Sequence, residues 1–397
     1  MPNTLLTPTA VTREALRILH QKLNFVGNIE RQYDSSFAKS GAKIGDTLKI
    51  RLPNQYVVRT GATLAAQDTT ETSTTLQIAT QKGVDLNFTS ADLTLSLDDF
   101  SKRILDPAMA VLAANIESDA LSMYKDVYNI VDNDAAAISF LNIMQGRQTL
   151  NENLAPMDNQ RCALLTTTHT AKLVDALKGL FQDSTAISKQ YKEGAMGRTG
   201  GFDFYENTLL SNHLTGTAAK TTGYTVNGAS QVGAAIAVQL GTATFKKGDI
   251  VTFAGCNAAH PETKADMGSL LKFVVTADYA GGAGSLAISP AIVVTGATQN
   301  VTASPTNGGA VVKVGAGASE LLTNSMVFHK EAFAFATADL VMPDGVDFAK
   351  RETMDGISMR IVRAYDINND KFPCRLDVLY GYKTIRPQLA CRIHADG

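Results

Sequence analysis

Tryptophan is absent from this 397-residue sequence, and cysteine and histidine are scarce, with four and six residues. The cysteines are far apart and form no Cys-x-x-Cys pair, which argues against a zinc site and a disulfide framework. No histidine lies at metal-ligand spacing from another. We therefore predict buried or partly buried free thiols at Cys162, Cys256, Cys374 and Cys391, and structural or surface roles for His20, His169, His213, His260, His329 and His394.

A charge excess and long apolar runs are also missing. The formal net charge is −2, and acidic and basic residues are interspersed, so the sequence carries no marked electrostatic footprint for nucleic acid or membrane. The longest apolar runs, such as Ala108–Ala114, are too short to span a bilayer, and no signal segment is recognisable at the N-terminus. The predicted setting is the cytoplasm of the producing cell. The length predicts two or three domains.

Motifs of catalysis and cofactor binding are missing as well. The sequence contains no Gly-x-Ser-x-Gly elbow, no Walker loop and no Gly-x-Gly-x-x-Gly after a strand. Asp366, Asn368 and Asp370 match positions of a calcium loop, but Lys371 replaces the required glycine and Asp377 the final glutamate. This run is better explained as a polar turn. We predict no catalytic, cofactor-binding or metal residues, and therefore a protein that is not an enzyme.

What is present most clearly is a region of alternating apolar residues between Thr244 and Val293. Turn sequences at Lys247–Asp249, Ala259–Glu262 and Gly281–Gly284 separate the alternating runs. From about Thr215 to Glu320 charged residues are scarce and glycine is dense, unlike either flank. These features predict an inserted β domain with alternating apolar positions at Ile236, Val238, Leu240, Val251, Phe253, Leu271, Phe273, Val275, Leu286 and Ile288.

The N-terminal part predicts a helix followed by strands. The amphipathic helix extends from about Val11 to Leu23 and lacks a strong cap, so it is either a swinging arm or an ordinary surface helix. Strand patterns then lie between Gly41 and Phe88, around a Thr-rich loop at Gly61–Thr75. This long hairpin has few apolar residues of its own. We expect it to need a neighbouring surface, in the same chain or in another copy.

The longest helical pattern comes next. Ser96 is a suitable N-cap, and Asp98 and Asp99 lie in the first turn, where the helix dipole favours acids. A helix from Leu97 to Val131 would be about 50 Å long at about 1.5 Å per residue. Pro107 either kinks this helix or separates two ordinary helices.

The rest of the chain mixes helices and strands. Helices are predicted at Ser139–Leu150 and Thr168–Phe181, and a loop at Asp183–Gly201. Strands are predicted at Arg161–Thr166, Phe202–Tyr205, Gly356–Asp366, Leu376–Tyr382 and Leu389–Ile393, with an apolar stretch at Met326–Ala338.

Several runs, taken in their order, resemble the major coat proteins of tailed phages. Four resemble the inserted (I) domain of the branch typified by short-tailed phages of enteric bacteria: Phe245–Cys256, His260–Lys264, Leu271–Thr276 and Ile288–Ile292. Others outside the insert resemble the same family: Asp98–Pro107, Gly200–Tyr205, Val327–Ala334, Arg375–Gly381 and Arg386–Pro387. The resemblance covers nearly the whole chain.

This resemblance implies an α+β, HK97-like capsid fold that carries an inserted all-β domain. The implied parts are an N-terminal arm (1–40), an E-loop hairpin (41–88), a P-domain with the spine helix (89–138 and 341–378), an A-domain (139–212, 321–340 and 379–397) and a β-barrel-like I-domain (213–320).

The implied function is that of a major capsid protein in the virion. Copies would assemble, as hexamers and pentamers, into an icosahedral procapsid and then a mature head around double-stranded DNA, inside the host bacterium. The arm and the hairpin would lie over neighbouring subunits. The implied partners are other copies of the chain, a portal, and DNA through weak, non-specific contact, with no membrane and no cofactor.

Two features depart from the family pattern. Relatives often carry a charged loop early in the insert that ties subunits across two-fold contacts, whereas Thr225–Gln239 contains no charged residue. Some relatives begin with a cleaved, scaffold-like segment, whereas the pattern here starts at the arm, which favours a separate scaffolding protein.

Two other functions stay open at this point. A bacterial compartment of the encapsulin type would share the fold, although the I-domain is typical of the phage branch. A secreted β-rich adhesin would require a signal segment, which the sequence does not show.

Overall fold

A computed structural model describes residues 8–33, 47–59, 61–64, 66, 71–88, 101–177, 197–343, 345–346, 348–367 and 372–396. Its helices are α1 (Pro8–Lys22), α2 (Asp106–Leu121), α3 (Phe140–Glu152) and α4 (Thr167–Leu177). Its strands are β1 (Glu30–Tyr33), β2 (Thr47–Arg51), β3 (Ser73–Gln77), β4 (Thr80–Phe88), β5 (Ile130–Ala137), β6 (Arg161–Leu165), β7 (Arg198–Thr199), β8 (Phe202–Glu206), β9 (His213–Leu214), β10 (Thr221–Val226), β11 (Gly233–Gln239), β12 (Ile250–Ala259), β13 (Asp266–Val275), β14 (Gly284–Ile292), β15 (Ala310–Lys313), β16 (Leu321–Leu322), β17 (Asn324–His329), β18 (Phe333–Ala338), β19 (Phe348–Met354), β20 (Ile357–Arg363), β21 (Phe372–Thr384) and β22 (Ala390–Asp396).

The chain divides into two compact units. The first consists of Met1–Arg51, Ser73–Leu121 and Phe333–Ile385, and the second of Leu52–Thr72, Ser122–Ala332 and Arg386–Gly397. Both contain helices as well as sheets, which confirms the predicted α+β class.

The first unit is built on a sheet with strand order β1-β18-β21-β20-β19, and β4 pairs with Phe372–Tyr380 of β21. The alternation predicted around β20 is confirmed, because Ile357, Met359 and Ile361 are buried. The predicted N-terminal helix is present as α1, and its apolar face is buried, including Ala15 and Leu19. The apolar residues at helical spacing thus lie on one face of α1, and this face packs into the first unit and stabilises the helix.

The predicted long helix is shorter than expected at its C-terminal end. A π-helical turn at Ser101–Leu105 leads into α2, and a 3₁₀ segment at Ser122–Asp126 ends the helical run. Residues from Ile130 onward form β5, so the prediction of helix up to Val131 is wrong. The regular α-helix starts at Asp106, directly after the π-helical turn, so Pro107 lies where the helical geometry changes from π to α.

In the described part of the predicted hairpin, β2 pairs with β3. Leu76 of β3 is buried in a small cluster with Ala334, Ala336 and Leu379, so the base of the hairpin finds its apolar surface within the same chain. At Gly381 of β21 an added Cβ would lie 2.1 Å from the backbone oxygen of Gln77, so only glycine permits this close approach. The strand predicted at Val84–Phe88 belongs to β4, which pairs with β21.

The second unit contains a sheet of order β5-β22-β17-β6-β8-β7. All residues of β6 and β17 are buried, as expected for the predicted strand at Arg161–Thr166. Helix α3 follows Ser139 as predicted, and the Ser139 backbone N–H donates to Asn142 Oδ1 at 2.8 Å. We call this sheet, with α3, α4 and residues 122–129, the plate.

The second unit also contains a closed barrel of order β10-β11-β14-β13-β12-β15. The chain enters through β9 and leaves through β16, which pair with each other. Residues that the sequence predicted to face inward on β11, β12, β13 and β14 line the barrel core. Within this core, the ring centroids of Phe253 and Phe273 lie 5.4 Å apart. The prediction for Leu240 is wrong: this side chain is 75% exposed, and its φ of 72° shows that the strand has already ended.

Some predicted features lie outside the described residues. These are the hairpin start at Gly41–Asp46, the helix start at Ser96, Asp98 and Asp99, most of the loop at Asp183–Gly201, the end of the helix predicted to Phe181, and Asn368–Lys371 of the polar turn.

Candidate assembly surfaces

The chemistry-bearing side chains are structural. All four cysteines are free and buried, as predicted, and burial raises the pKa of Cys162, Cys256 and Cys374 to about 12 and that of Cys391 to about 11. Thiols of such high pKa form little thiolate at neutral pH and are poor nucleophiles. Among the described residues no group of His, Cys, Asp and Glu side chains could hold a metal ion, and no helix is long and apolar enough to cross a membrane.

One pair has the form of a nucleophile and base. His169 Nδ1 lies 2.7 Å from Ser325 Oγ, and His169 Nε2 lies 3.3 Å from the Ala395 carbonyl oxygen. Both side chains are fully buried, and burial lowers the pKa of His169. A substrate cannot reach Ser325, so the pair joins α4 to the sheet of the plate instead of performing catalysis.

The N-terminal segment is bound to its own chain. The buried carboxylate of Glu117 on α2 accepts backbone N–H groups of Asn24 at 3.0 Å, of Val26 at 3.2 Å, and of Phe25 between them. Next in the chain, β1 pairs in parallel with β18. Hydrogen bonds to a buried ionised carboxylate are strong. For residues 8–33 the structure therefore favours the docked surface helix over a swinging arm.

The segment that joins β2 to β3 exposes apolar side chains. Tyr56 is 56% exposed, Val58 is 88% exposed and Leu64 is 82% exposed. These large apolar side chains are exposed in a hairpin of mostly polar composition, which makes the segment a candidate contact site. We call residues 52–72 the hairpin tip. The sequence predicted the hairpin, but polar composition hid the apolar character of its tip.

A polar network joins the barrel to the plate. Asp249 lies in the turn before β12, and its carboxylate forms three hydrogen bonds. The partners are His213 Nε2 at 2.8 Å, the backbone N–H of Gly216 at 3.0 Å and the backbone N–H of Lys246 at 2.8 Å. His213 Nδ1 lies 3.3 Å from Tyr124 Oη. The network therefore fixes the entry strand, the turn and residue 124 of the plate relative to one another.

Arg392 of β22 contacts the same turn. Its side chain is fully buried, donates from Nη2 to the Gly248 carbonyl at 2.8 Å and places its guanidinium carbon 5.9 Å from the Tyr124 ring centroid. Burial lowers the pKa of Arg392 to about 10, so it stays charged at neutral pH. Sequence reasoning missed this residue because its partners, Gly248 and Tyr124, lie in distant parts of the sequence. Next to the network, Tyr128 and Ile130 of the plate pack against Ile250 and Val274 of the barrel.

Solved structures of phage particles are similar to this chain. One from Mycobacterium phage Che8 has 12% identity and a TM-score of 0.48, covering 94% of this chain and 90% of that chain. The mature capsid of bacteriophage PhiM1 has 10% identity and a TM-score of 0.43, covering 94% and 86%. The procapsid of satellite phage P4, which includes a size determination protein, has 9% identity and a TM-score of 0.40, covering 96% and 90%. No curated protein sequence matches the chain.

The family model of the P22 coat protein, gene protein 5, matches residues 9–392. A match over nearly the whole length defines a phage coat protein. The chain belongs to the P22 coat protein family. It is therefore a major capsid protein, a virion component that forms the phage shell, and not an enzyme. Family membership confirms the predicted class of protein and its HK97-like α+β fold, and it does not favour the encapsulin-type compartment or the secreted adhesin.

Proposed function

We propose that the hairpin tip is a principal contact between subunits of the shell. The observation that carries this proposal is the exposure of Val58, at 88%, with Tyr56 and Leu64 exposed on the same segment. Burying apolar surface gains roughly 25 cal/mol per Å². A neighbouring copy that covers this group would therefore supply part of the association free energy, while the base of the hairpin stays packed in its own chain.

We assign the observed parts of the chain to the domains of the capsid fold that the sequence implies. The hairpin acts as the E-loop, α2 as the spine helix of the P-domain, and the plate as the A-domain. The barrel with β9 and β16 acts as the I-domain, braced on the plate through Asp249 and Arg392. The proposed boundaries of these five parts are those implied by the sequence, so residues 122–137 are assigned to the P-domain although they form part of the plate.

The proposed assembly is an icosahedral procapsid of hexamers and pentamers that matures into a DNA-filled head. We propose a separate scaffolding protein, a portal and packaged double-stranded DNA as its partners, on the ground of family membership. The formal net charge of −2 supports only weak, non-specific contact with DNA.

The contact proposal is tested by Val58→Asp, with Val58→Ile as the matched control. Because Val58 is exposed in the subunit, neither change should alter the melting temperature of the unassembled protein. Val58→Asp should raise the concentration needed for assembly roughly tenfold, the equivalent of about 1.4 kcal/mol, as measured by light scattering and electron microscopy. Val58→Ile should assemble like the parent. Normal assembly of Val58→Asp would show that the tip lies outside the subunit contacts.

A further inference from the structure

Two asparagine–glycine dipeptides meet at one end of the barrel. Asn227-Gly228 directly follows β10, and Asn307-Gly308 lies just before β15. Because β10 and β15 pair antiparallel, with Thr225 opposite Ala310, the end of one strand lies beside the start of the other. The sequence contains no other asparagine followed by glycine.

Such dipeptides are chemically fragile. The backbone nitrogen of the glycine attacks the asparagine Cγ atom, its N–H proton passes to the side-chain amide, and ammonia leaves. Water then opens the cyclic succinimide to aspartate or isoaspartate. Asparagine is for this reason counted among the thermolabile residues. The turn after β10 nevertheless requires its glycine, because the φ of Gly228 is 113°, in the left-handed region.

In the folded barrel the attacking nitrogen is occupied. The Gly228 backbone N–H donates to Asn307 Oδ1 at 2.9 Å. At the other dipeptide, the Gly308 backbone N–H donates to the Val226 carbonyl at 2.9 Å. Attack requires each nitrogen to lose its proton and to turn toward Cγ, and a hydrogen bond of normal length opposes both.

Asn227 depends on this protection more than Asn307 does. The Asn307 carboxamide is itself held by the Gly228 N–H. The Asn227 side chain is exposed, and its carboxamide forms no hydrogen bond with any residue that the structure describes. Its carboxamide can therefore rotate freely, and the contact between Gly228 and Asn307 is what limits reaction at Asn227.

We propose that Asn227 is a deamidation site of the barrel and that the Asn307 side chain suppresses the reaction by holding the Gly228 N–H. Deamidation would place a negative charge in Thr225–Gln239, which contains no charged residue. An isoaspartate would also lengthen the backbone directly after β10 and disturb its pairing with β11. Because a virion synthesises no protein, damaged subunits are not replaced. The hydrogen bond thus preserves the barrel over the life of the shell, a role separate from assembly through the hairpin tip.

The test uses the full chain as soluble subunits, incubated in mildly alkaline buffer. Asn307→Ala removes the acceptor, whereas Asn307→Asp keeps an oxygen acceptor at the same position and is the matched control. Peptide mass spectrometry measures aspartate and isoaspartate at residue 227. We expect the reaction in Asn307→Ala to be roughly fivefold faster than in the parent and in Asn307→Asp, as the loss of one ordinary hydrogen bond predicts. The Gly228 amide should also exchange with deuterium faster in the alanine variant only.

A further variant separates this contact from general opening of the barrel. Phe273→Leu changes the core on β13, which pairs with neither β10 nor β15, so its reaction at residue 227 should keep the parent's rate. The parent protein unfolded in urea should react at both dipeptides. Closely similar melting temperatures confirm that the Asn307 variants are folded.

Three outcomes would overturn the proposal. A parental rate in Asn307→Ala, or an equally fast reaction in Asn307→Asp, would show that the acceptor at residue 307 does not protect Asn227. A fast reaction in Phe273→Leu would show that opening of the barrel controls the site instead. Equal rates for the folded parent and the parent in urea would show that the folded barrel gives no protection.

Discussion

At the scale of single residues, the chain places several charged side chains in its interior. Glu117, Asp249 and Arg392 are all buried, and each contacts backbone groups of a segment distant in sequence. A reading of the sequence assigns charged residues to the surface, because burial of a charge without partners is costly. Apart from the nearby Lys246 N–H that Asp249 also accepts, the partners cited here lie more than thirty residues away in the sequence, so no local pattern could reveal these contacts. Apolar positions such as Phe273 were predictable, since alternation is local.

Phe273 gives the first prediction at this scale. It is fully buried in the barrel core, against Phe253. Phe273→Ala should destabilise the protein by about 3–5 kcal/mol, because the lost apolar contacts leave a cavity. Urea unfolding followed by a probe in the barrel measures the change, with Phe273→Leu as the milder control. An unchanged unfolding midpoint for the alanine variant would mean that the core closes around the missing ring.

At the scale of elements, the spacing of apolar residues identified most strands and helices. It failed where an element ended before its apolar pattern did. The helical spacing continued past Asp126, yet β5 begins at Ile130 and pairs with β22. Pairing with a strand more than two hundred residues away decides the conformation there. Leu240 failed in the same way, because the strand ends one residue earlier than its alternation suggests.

The barrel supplies the prediction for elements. Residues 213–320 expressed alone should fold, because the barrel is closed and has its own core, to which the fully buried side chain of Phe253 belongs. Excision uncovers Ile250 and Val274, which pack on the plate in the whole chain. We therefore expect dispersed amide NMR signals together with a tendency to self-associate, which a double change of these two residues to threonine should relieve. A collapsed, poorly dispersed spectrum would mean that the plate completes the barrel.

At the scale of the whole molecule, buried thiols make stability depend on alkaline pH. Free thiols in an unfolded chain ionise near pH 8.5, whereas burial holds the pKa of Cys391 at about 11. The unfolded state therefore releases protons first as the pH rises. Stability is unaffected by this group below about pH 8.5 and falls between that value and about pH 11.

Cys391→Ala measures this contribution. At pH 10 the thiol should account for about 2 kcal/mol of the stability lost since pH 7.5, from about 1.5 pH units at 1.36 kcal/mol each. The variant should accordingly lose about 2 kcal/mol less than the parent over the same interval, as measured by urea unfolding. An equal loss in both proteins would show that this thiol ionises as readily in the folded chain as in the unfolded one.

Strand β22 has a consequence for the order in which the protein can be made. It lies inside the sheet of the plate, between β5 and β17, although it follows every other strand of that sheet in the chain. During synthesis β5 therefore has an open edge from residue 137 until β22 is made, and β17 has one from residue 329 onward. The barrel strands, in contrast, are all complete by Lys313. Because synthesis runs from the N-terminus, the barrel can fold before β22 joins β5 to the remaining strands of the plate. A subunit therefore becomes competent to join a shell only after Ala390–Asp396 has left the ribosome.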